Sequence, residues 1–93
     1  MHKLLSDAEA AEIRRKPLMA DKHFAMRAFD RVDFAKVLQI MAEGRIYQEG
    51  KDKYRAVMFL KGGKRAFVLF RSHPDYNEML TVGVTSKKGD RYG

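Results

Sequence analysis

The hydrophobic pattern of the chain changes period at Gly44, and this change limits the folds that the chain can adopt. Before Gly44, apolar residues recur with the i, i+3, i+4 and i+7 spacing of a core-facing helix, in Phe34, Val37, Leu38 and Met41. After Gly44, short segments alternate between apolar and polar residues, which is typical of strands. The sequence therefore predicts an α+β fold, with two or three N-terminal helices packed on a C-terminal antiparallel β-meander of about four strands.

Three helical segments are predicted before the change of period. Ser6 and Glu9 have the spacing of a capping box, so a short first helix begins after Ser6 and stops at the first proline. Asp21 and Asp33 can cap a second and a third segment, and Gly44 is expected at the C′ position of the last. The pattern leaves open whether these two segments are separate helices or one bent helix.

The register of the sheet is predicted from a turn at Gly62-Gly63. The predicted strands are Arg45–Gln48, Tyr54–Leu60, a return strand after the glycines, and Met79–Thr85. Two glycines favour a two-residue hairpin turn, because such a turn needs positive φ at both central positions. Pairing Lys61 with Lys64 then puts Arg55 opposite Phe70.

A chain of 93 residues is expected to form a single α+β domain. Its predicted parts are an N-terminal helix and linker (1–20), a helical layer (21–44), an antiparallel sheet (45–86) and a loose tail (87–93). No apolar run approaches the roughly 20 residues of a membrane span. The N-terminal segment turns acidic too early for a secretory signal, so we expect a cytoplasmic location and no contact with membranes.

Composition narrows the class of partner. The net charge of +7 and the pI near 9.9 favour a polyanion, with RNA the first candidate. A basic domain that is merely soluble, or that binds an acidic protein, is the alternative. The absence of cysteine excludes thiolate chemistry. Because no metal-ligand spacing and no phosphate-binding glycine motif occurs, no metal and no cofactor are expected.

His23, Arg27 and Arg31 recur every four residues and would form one stripe on a helix. Histidine can transfer protons near neutral pH, and arginine can hold a phosphate through two parallel hydrogen bonds. The stripe therefore predicts acid–base cleavage of a phosphodiester. A solvated helix face carries the same pattern, and spacing alone favours that alternative.

A second group of candidate residues lies on the predicted strands and in the tail. Cations interleaved with an aromatic residue are typical of a surface that binds single-stranded RNA. Threonines that alternate along a strand could bring hydroxyls to a phosphate, although they more often mark a half-exposed face. The predicted substrate-binding residues are Lys53, Tyr54, Arg65, Arg71, Thr81, Thr85 and Lys88, beside the phosphate-holding Arg55.

Three segments together resemble a family of small bacterial proteins known as domain of unknown function 4258. They read KHFAMRAFDRVDFAKVLQIMAEGRIYQ, DKYRAVMFLKGGKRAFVLF and MLTVGVTSKK, and they cover roughly residues 22–88. The family is similar in layout to the barnase, EndoU, colicin and RelE group of metal-independent ribonucleases, which occur as toxins. This chain departs from the family pattern in its HPDYN loop and in its extra N-terminal helix.

The resemblance implies roles for the candidate residues. His23 would be the general acid or base, and Arg27, Arg31 and Arg55 would hold the scissile phosphate. Tyr54 would stack on a base, while Thr81 or Thr85 would line the site. The implied reaction is attack of a ribose 2′-hydroxyl on the neighbouring phosphate, which gives a cyclic phosphate end.

The leading functional prediction is a bacterial toxin-like endoribonuclease of a toxin–antitoxin system, acting in the cytoplasm, with a cognate antitoxin or immunity protein as partner. The alternative is a non-catalytic basic module, such as a phage or accessory protein, that binds nucleic acid or an acidic protein. A third reading is an inhibitory interaction protein that offers the edge of its sheet for strand addition.

Overall fold

The computed structural model describes residues 3–20 and 34–85, in which two helices lie against one face of a six-stranded mixed sheet. The strands are β1 (Lys3–Leu4), β2 (Leu18–Met19), β3 (Arg45–Gln48), β4 (Lys53–Phe59), β5 (Arg65–Ser72) and β6 (Asn77–Thr85). The helices are α1 (Asp7–Arg14) and α2 (Phe34–Glu43), and a 3-10 turn spans Lys61–Gly63. The strand order is β1-β3-β4-β5-β6-β2.

The predicted arrangement of helices before a four-stranded antiparallel meander is wrong. The sheet has six strands, and β1 precedes α1, so the helices do not form an N-terminal block. Strand β2 pairs in parallel with β6, which makes the sheet mixed. Both additional strands have two residues, and a segment that short shows no measurable alternation of polarity. They form because neighbouring strands offer unpaired backbone groups.

The capping box predicted for the first helix is confirmed. The Ser6 side chain accepts a hydrogen bond from the Glu9 backbone N–H at 3.2 Å, and the Glu9 carboxylate accepts one from the Ser6 backbone N–H at 3.1 Å. These bonds satisfy donors that the first helical turn leaves without partners. The hydrogen bond from the Ser6 backbone, and then that involving the Ser6 side chain, lower the pKa of Glu9 from its usual 4.5.

The lowered pKa of Glu9 gives a pH-dependent contribution to stability. A carboxyl group whose pKa falls on folding stabilises the folded state above its unfolded pKa, and this stabilisation is lost as the pH falls through the folded value. We therefore expect wild type to be more stable than Glu9→Gln at neutral pH, and the difference to vanish in acid below the folded pKa. Urea denaturation of both proteins at the two pH values would measure it. Glu12→Gln is the control, because Glu12 lies on the same helix outside the cap; a constant difference for Glu9→Gln would contradict the expectation.

The apolar stripe of α2 is rotated from the predicted one. Val37, Ile40 and Met41 are buried, whereas Phe34 and Leu38 are 49% and 47% exposed. The stripe therefore follows the i, i+3, i+4 pattern from Val37. The prediction that Phe34 and Leu38 face the core is wrong, because the side of α2 that contacts the core is the side of Val37, Ile40 and Met41.

The C-terminus of α2 is held by a side chain from α1. The Arg14 guanidinium donates to the backbone carbonyls of Met41 at 2.9 Å and Gly44 at 2.6 Å. Carbonyls at a helix C-terminus lack partners within the helix, and a cation there also opposes the negative end of the helix dipole. Arg14 therefore fixes α1 against α2 on one face of the sheet.

The predicted register of the β4–β5 hairpin is wrong by one residue. The turn has three residues instead of two, since the Leu60 N–H donates to the Lys64 carbonyl at 2.8 Å across Lys61–Gly63. Gly62 and Gly63 have φ angles of 76° and 75°, as expected for glycines in such a turn. Arg55 consequently lies opposite Leu69 and not Phe70.

The corrected register sorts residues 53–71 by sequence parity. Even-numbered residues of β4 and β5 face the helices, and odd-numbered residues face the other way. A bulge in β6 between the partners of Leu69 and Phe70 lets both Met79 and Val82 turn towards the helices. The core combines the helices with this sheet face; its members include Ala10, Ile13, Val37, Ile40, Ile46, Ala56, Val68, Phe70, Met79 and Val82.

No helix among residues 3–20 and 34–85 has the length and apolar character needed to cross a membrane.

Candidate nucleic-acid interface

All the basic residues of the four longer strands lie on the sheet face that turns away from α1 and α2. Opposed residues of neighbouring strands share a face, and the register therefore places them together. We call this surface the basic face; its cations are Arg45, Lys53, Arg55, Arg65 and Arg71. Within the same four strands the only acidic residue is Glu78. The basic face thus gathers five cations, of which Arg65 is buried, with 9% of its surface exposed.

The basic face brings together most of the strand residues predicted to bind substrate. Lys53 is opposite Arg71, Arg65 is opposite Thr85, and Leu69 is opposite Thr81. Both threonines are exposed, as is Arg71, and Lys53 is half-buried. The predicted residues that share this surface are Lys53, Arg55, Arg65, Arg71, Thr81 and Thr85.

Tyr54 does not lie on the basic face. It is opposite Phe70, on the helix-covered side, and the two rings stack with centroids 5.7 Å apart and an interplanar angle of 20°. Tyr54 also packs against the hydrophobic core. The proposed stacking of Tyr54 on a base beside Arg55 is therefore incompatible with this position, because neighbouring residues of a strand point to opposite faces.

Two phenylalanines provide the aromatic surface that was attributed to Tyr54. Phe59 is 46% exposed, and two guanidinium carbons lie over its ring, that of Arg65 at 4.8 Å and that of Arg45 at 5.6 Å from the centroid. The Arg55 guanidinium lies 4.8 Å from the centroid of Phe67. Such contacts stabilise a cation by the negative electrostatic potential of the ring face. Guanidinium groups that lie over phenyl rings are therefore part of the basic face.

The lack of a side chain at Gly83 leaves room for the Phe67 ring. Gly83 is opposite Phe67 in the sheet, and a Cβ atom at this position would lie 3.2 Å from two ring carbons. An aromatic ring that packs over a glycine of the next strand covers the exposed backbone there. Gly83 thereby leaves room for the ring that contacts Arg55.

Arg55 has a carboxylate partner besides the ring. Its Nε lies 2.5 Å from one Glu49 oxygen, and an Nη atom lies 3.4 Å from the other. Both side chains are largely buried, with 22% and 10% exposed. A charge-assisted pair with two contacts fixes the guanidinium plane. Arg55 is thus oriented by Glu49 and Phe67, and any phosphate would meet it in this orientation.

Lys53 and Arg71 form a directly opposed pair of like charges. Cβ atoms in such cross-strand pairs lie about 5 Å apart, and like charges there are unfavourable. The Arg71 Nε lies 3.5 Å from an Asp52 carboxylate oxygen, in an ion pair that is about half exposed. Because an exposed pair of this kind is weak, it offsets only part of the repulsion.

The predicted catalytic stripe lies outside the described residues. His23, Arg27 and Arg31 fall in the segment 21–33, and Lys88 falls in the tail 86–93. Their roles stay predictions. Among residues 3–20 and 34–85, no group of three His, Cys, Asp or Glu side chains could hold a metal ion.

Neither a protein-family model, nor a curated protein, nor a solved structure matches the chain. The resemblance to domain of unknown function 4258 stays a prediction.

Proposed function

We propose that the chain binds single-stranded RNA along its basic face. The observation that carries this proposal is that five cations lie on one face of the sheet: Arg45, Lys53, Arg55, Arg65 and Arg71. The four longer strands contain only one acidic residue, Glu78. Phosphate contacts by arginine and lysine supply most of the affinity of a protein for a nucleic-acid backbone. A net charge of +7 would also accelerate the encounter.

The aromatic planes favour single strands over duplexes. Phe59 is about half exposed between two guanidinium groups. Unpaired bases stack on aromatic rings and on arginine planes, whereas bases within a duplex are already stacked on each other. The exposed Thr81 and Thr85 can donate hydrogen bonds to phosphate oxygens along the same face.

The opposed cations Lys53 and Arg71 supply a second argument. Their repulsion, which Asp52 and Glu78 beside Arg71 offset in part, is a cost of folding that a bound phosphate between them would relieve. Lys53 and Arg71 are therefore the best pair for testing the proposal.

Removing both charges should weaken RNA binding selectively. We expect Lys53→Gln with Arg71→Gln to lower the affinity for a labelled oligouridylate on the order of 100-fold, since each of the two charged hydrogen bonds contributes about 1.5 kcal/mol. The slope of log K against log salt should become shallower by about 1.4, at roughly 0.7 per lost contact. Fluorescence anisotropy over a salt series would measure both quantities.

The control is a double variant that loses the same two positive charges at positions outside the basic face. Lys3 and Arg15 are exposed and lie away from the basic face, so Lys3→Gln with Arg15→Gln should leave the affinity nearly unchanged. Equal weakening by both double variants would mean that total charge, and not the basic face, governs binding. Equal affinity for polyglutamate of matched length would favour the alternative of an acidic protein partner.

Cleavage of the bound RNA is the finer form of this proposal. A toxin-like endoribonuclease of the cytoplasm, controlled by an antitoxin or immunity protein, would use such a surface to hold its substrate. The resemblance supports this reading through His23, Arg27 and Arg31, and the basic face supports the binding step on which cleavage depends.

A further inference from the structure

A histidine–carboxylate pair lies at one end of the basic face and has no part in the site predicted from the sequence. The His73 Nε2 atom lies 2.8 Å from a Glu78 carboxylate oxygen. The His73 ring is also stacked on Tyr76, with centroids 4.5 Å apart and planes inclined by 21°. A carboxylate at one nitrogen and a ring against one face leave the imidazole little freedom to rotate.

The loop that carries His73 is closed by its own backbone. The His73 N–H donates to the Tyr76 carbonyl at 2.8 Å, and β6 begins at the following residue. The side chains of His73 and Glu78 are 29% and 40% exposed. The pair is therefore held in place and still reaches solvent, which a group that acts on an external substrate requires.

The pair adjoins the opposed cations of the basic face. Glu78 is the register partner of Arg71, and Arg71 is the partner of Lys53. His73 follows Arg71 by two residues, and residues so spaced point to the same side of an extended chain about 7 Å apart. A phosphate held by Lys53 and Arg71 would thus lie next to the His73 side chain on the same side of the sheet.

We propose that His73 is a general base for RNA cleavage at a phosphate held by Lys53 and Arg71, an inference that rests on the proposed binding of RNA. Because Glu78 accepts the Nε2 proton, Nδ1 is the nitrogen that can receive another. Glu78 is then a positioning residue, which fixes the ring.

The step needs no additional reactant. Nδ1 removes the proton of a ribose 2′-hydroxyl, whose oxygen attacks the adjacent phosphorus. The bond from phosphorus to the 5′ oxygen breaks, and this oxygen takes a proton from water. The imidazolium returns its proton to solvent. The products are a 2′,3′-cyclic phosphate and a 5′-hydroxyl, and the lysine and arginine stabilise the charge that develops on the phosphate oxygens.

Binding and cleavage are measured in parallel on one labelled oligonucleotide and on its 2′-deoxy counterpart. For His73→Ala we expect a loss of about 100-fold or more in cleavage rate, as for removal of a general base, with an RNA affinity within roughly twofold of wild type. Added imidazole should restore part of the rate. Glu78→Gln should change the pH dependence of the rate, which a purely structural role would not do.

Asp75→Asn is the control, because Asp75 is an exposed residue of the same loop outside the proposed machinery. It should cleave as wild type does, and circular dichroism should give the same spectrum for all variants. Full cleavage by His73→Ala would overturn the inference. This includes the case in which His23→Ala loses cleavage while His73→Ala retains it. Wild type that binds RNA without cleaving it would overturn the inference and leave the proposed binding of RNA intact, whereas wild type that does neither would refute both.

Discussion

Replacing Gly44 with alanine is expected to lower the free energy of unfolding by about 3 kcal/mol, at the upper end of the usual cost of overpacking. A Cβ atom at Gly44 would lie 2.5 Å from the Ile40 carbonyl oxygen and 2.8 Å from that of Val57. Both obstacles are backbone atoms, one in the last turn of α2 and the other in β4. Neither can move without displacing an element, and the expected loss is therefore large. Urea denaturation at neutral pH would measure it.

Gly50→Ala is the matched control. A Cβ atom there would approach only the Lys53 side chain, at 3.6 Å, which is an ordinary contact. Gly50 is exposed and its φ angle is not positive, so alanine costs it no backbone strain. We expect a change within about 0.5 kcal/mol. If Gly44→Ala changed the free energy of unfolding as little as Gly50→Ala, the end of α2 could not lie as close to β4 as these distances require.

Gly44 also illustrates how a correct prediction can have the wrong cause. The sequence places a glycine where α2 ends, and we expected it at the C′ position, which commonly has the left-handed conformation. Helix α2 does end at Glu43, but positive φ occurs only at Gly62 and Gly63 in the described part of the chain. Glycine is needed at position 44 because a helix end and a strand meet there. Contacts between distant segments cannot be read from local spacing.

The register error in the β4–β5 hairpin has a similar origin. Two glycines favoured a two-residue turn, and the three-residue turn moves every cross-strand pair by one position. The charges contained the missing information. A register that puts Arg55 opposite Phe70 joins a cation to a fully buried ring, whereas the observed register puts Lys53 opposite Arg71 and keeps the even positions apolar.

The same parity rule would have identified the residues that the sequence analysis missed. Arg45, Phe59 and Phe67 are all at odd positions, as are the cations already chosen. Tyr54 would have been assigned to the opposite face on the same ground. Parity also puts His73 on the side of Arg71, but its contact with Glu78 could not have been found this way, because that contact depends on where a loop returns to the sheet. Loop closure, unlike strand alternation, has no period in the sequence.

The basic face depends on a core that fixes five strand cations on one side. Each cation was excluded from the other side by the cost of burying a charge among apolar residues. On the side that faces the helices, Asn77 is an exception to the apolar composition of the core, since it is polar and fully buried. It is also the residue that joins the N-terminal segment to β6, immediately before Glu78.

Asn77→Ala is expected to lower the free energy of unfolding by about 3 kcal/mol, through lost hydrogen bonds and an internal cavity. The Asn77 Nδ2 donates to the Ile13 carbonyl at 2.9 Å, and its Oδ1 accepts from the Ser72 hydroxyl at 2.9 Å. Lys16 Nζ in turn donates to the same hydroxyl at 3.0 Å. Thermal and urea unfolding would measure the loss.

Asn77→Asp creates no cavity, because aspartate keeps the volume and the acceptor for Ser72, but it loses the donor to Ile13 and adds the cost of a buried carboxylate. If aspartate were as stable as asparagine, the cavity alone would explain the alanine result. Since β2 pairs with β6 through Leu18 and Asn77, we also expect both variants to loosen the start of β6 and with it the carboxylate of Glu78. Cleavage should then fall more than RNA affinity, because Glu78 is the next residue of β6, whereas Arg45, Lys53 and Arg55 lie on β3 and β4 and not on the strands that Asn77 joins.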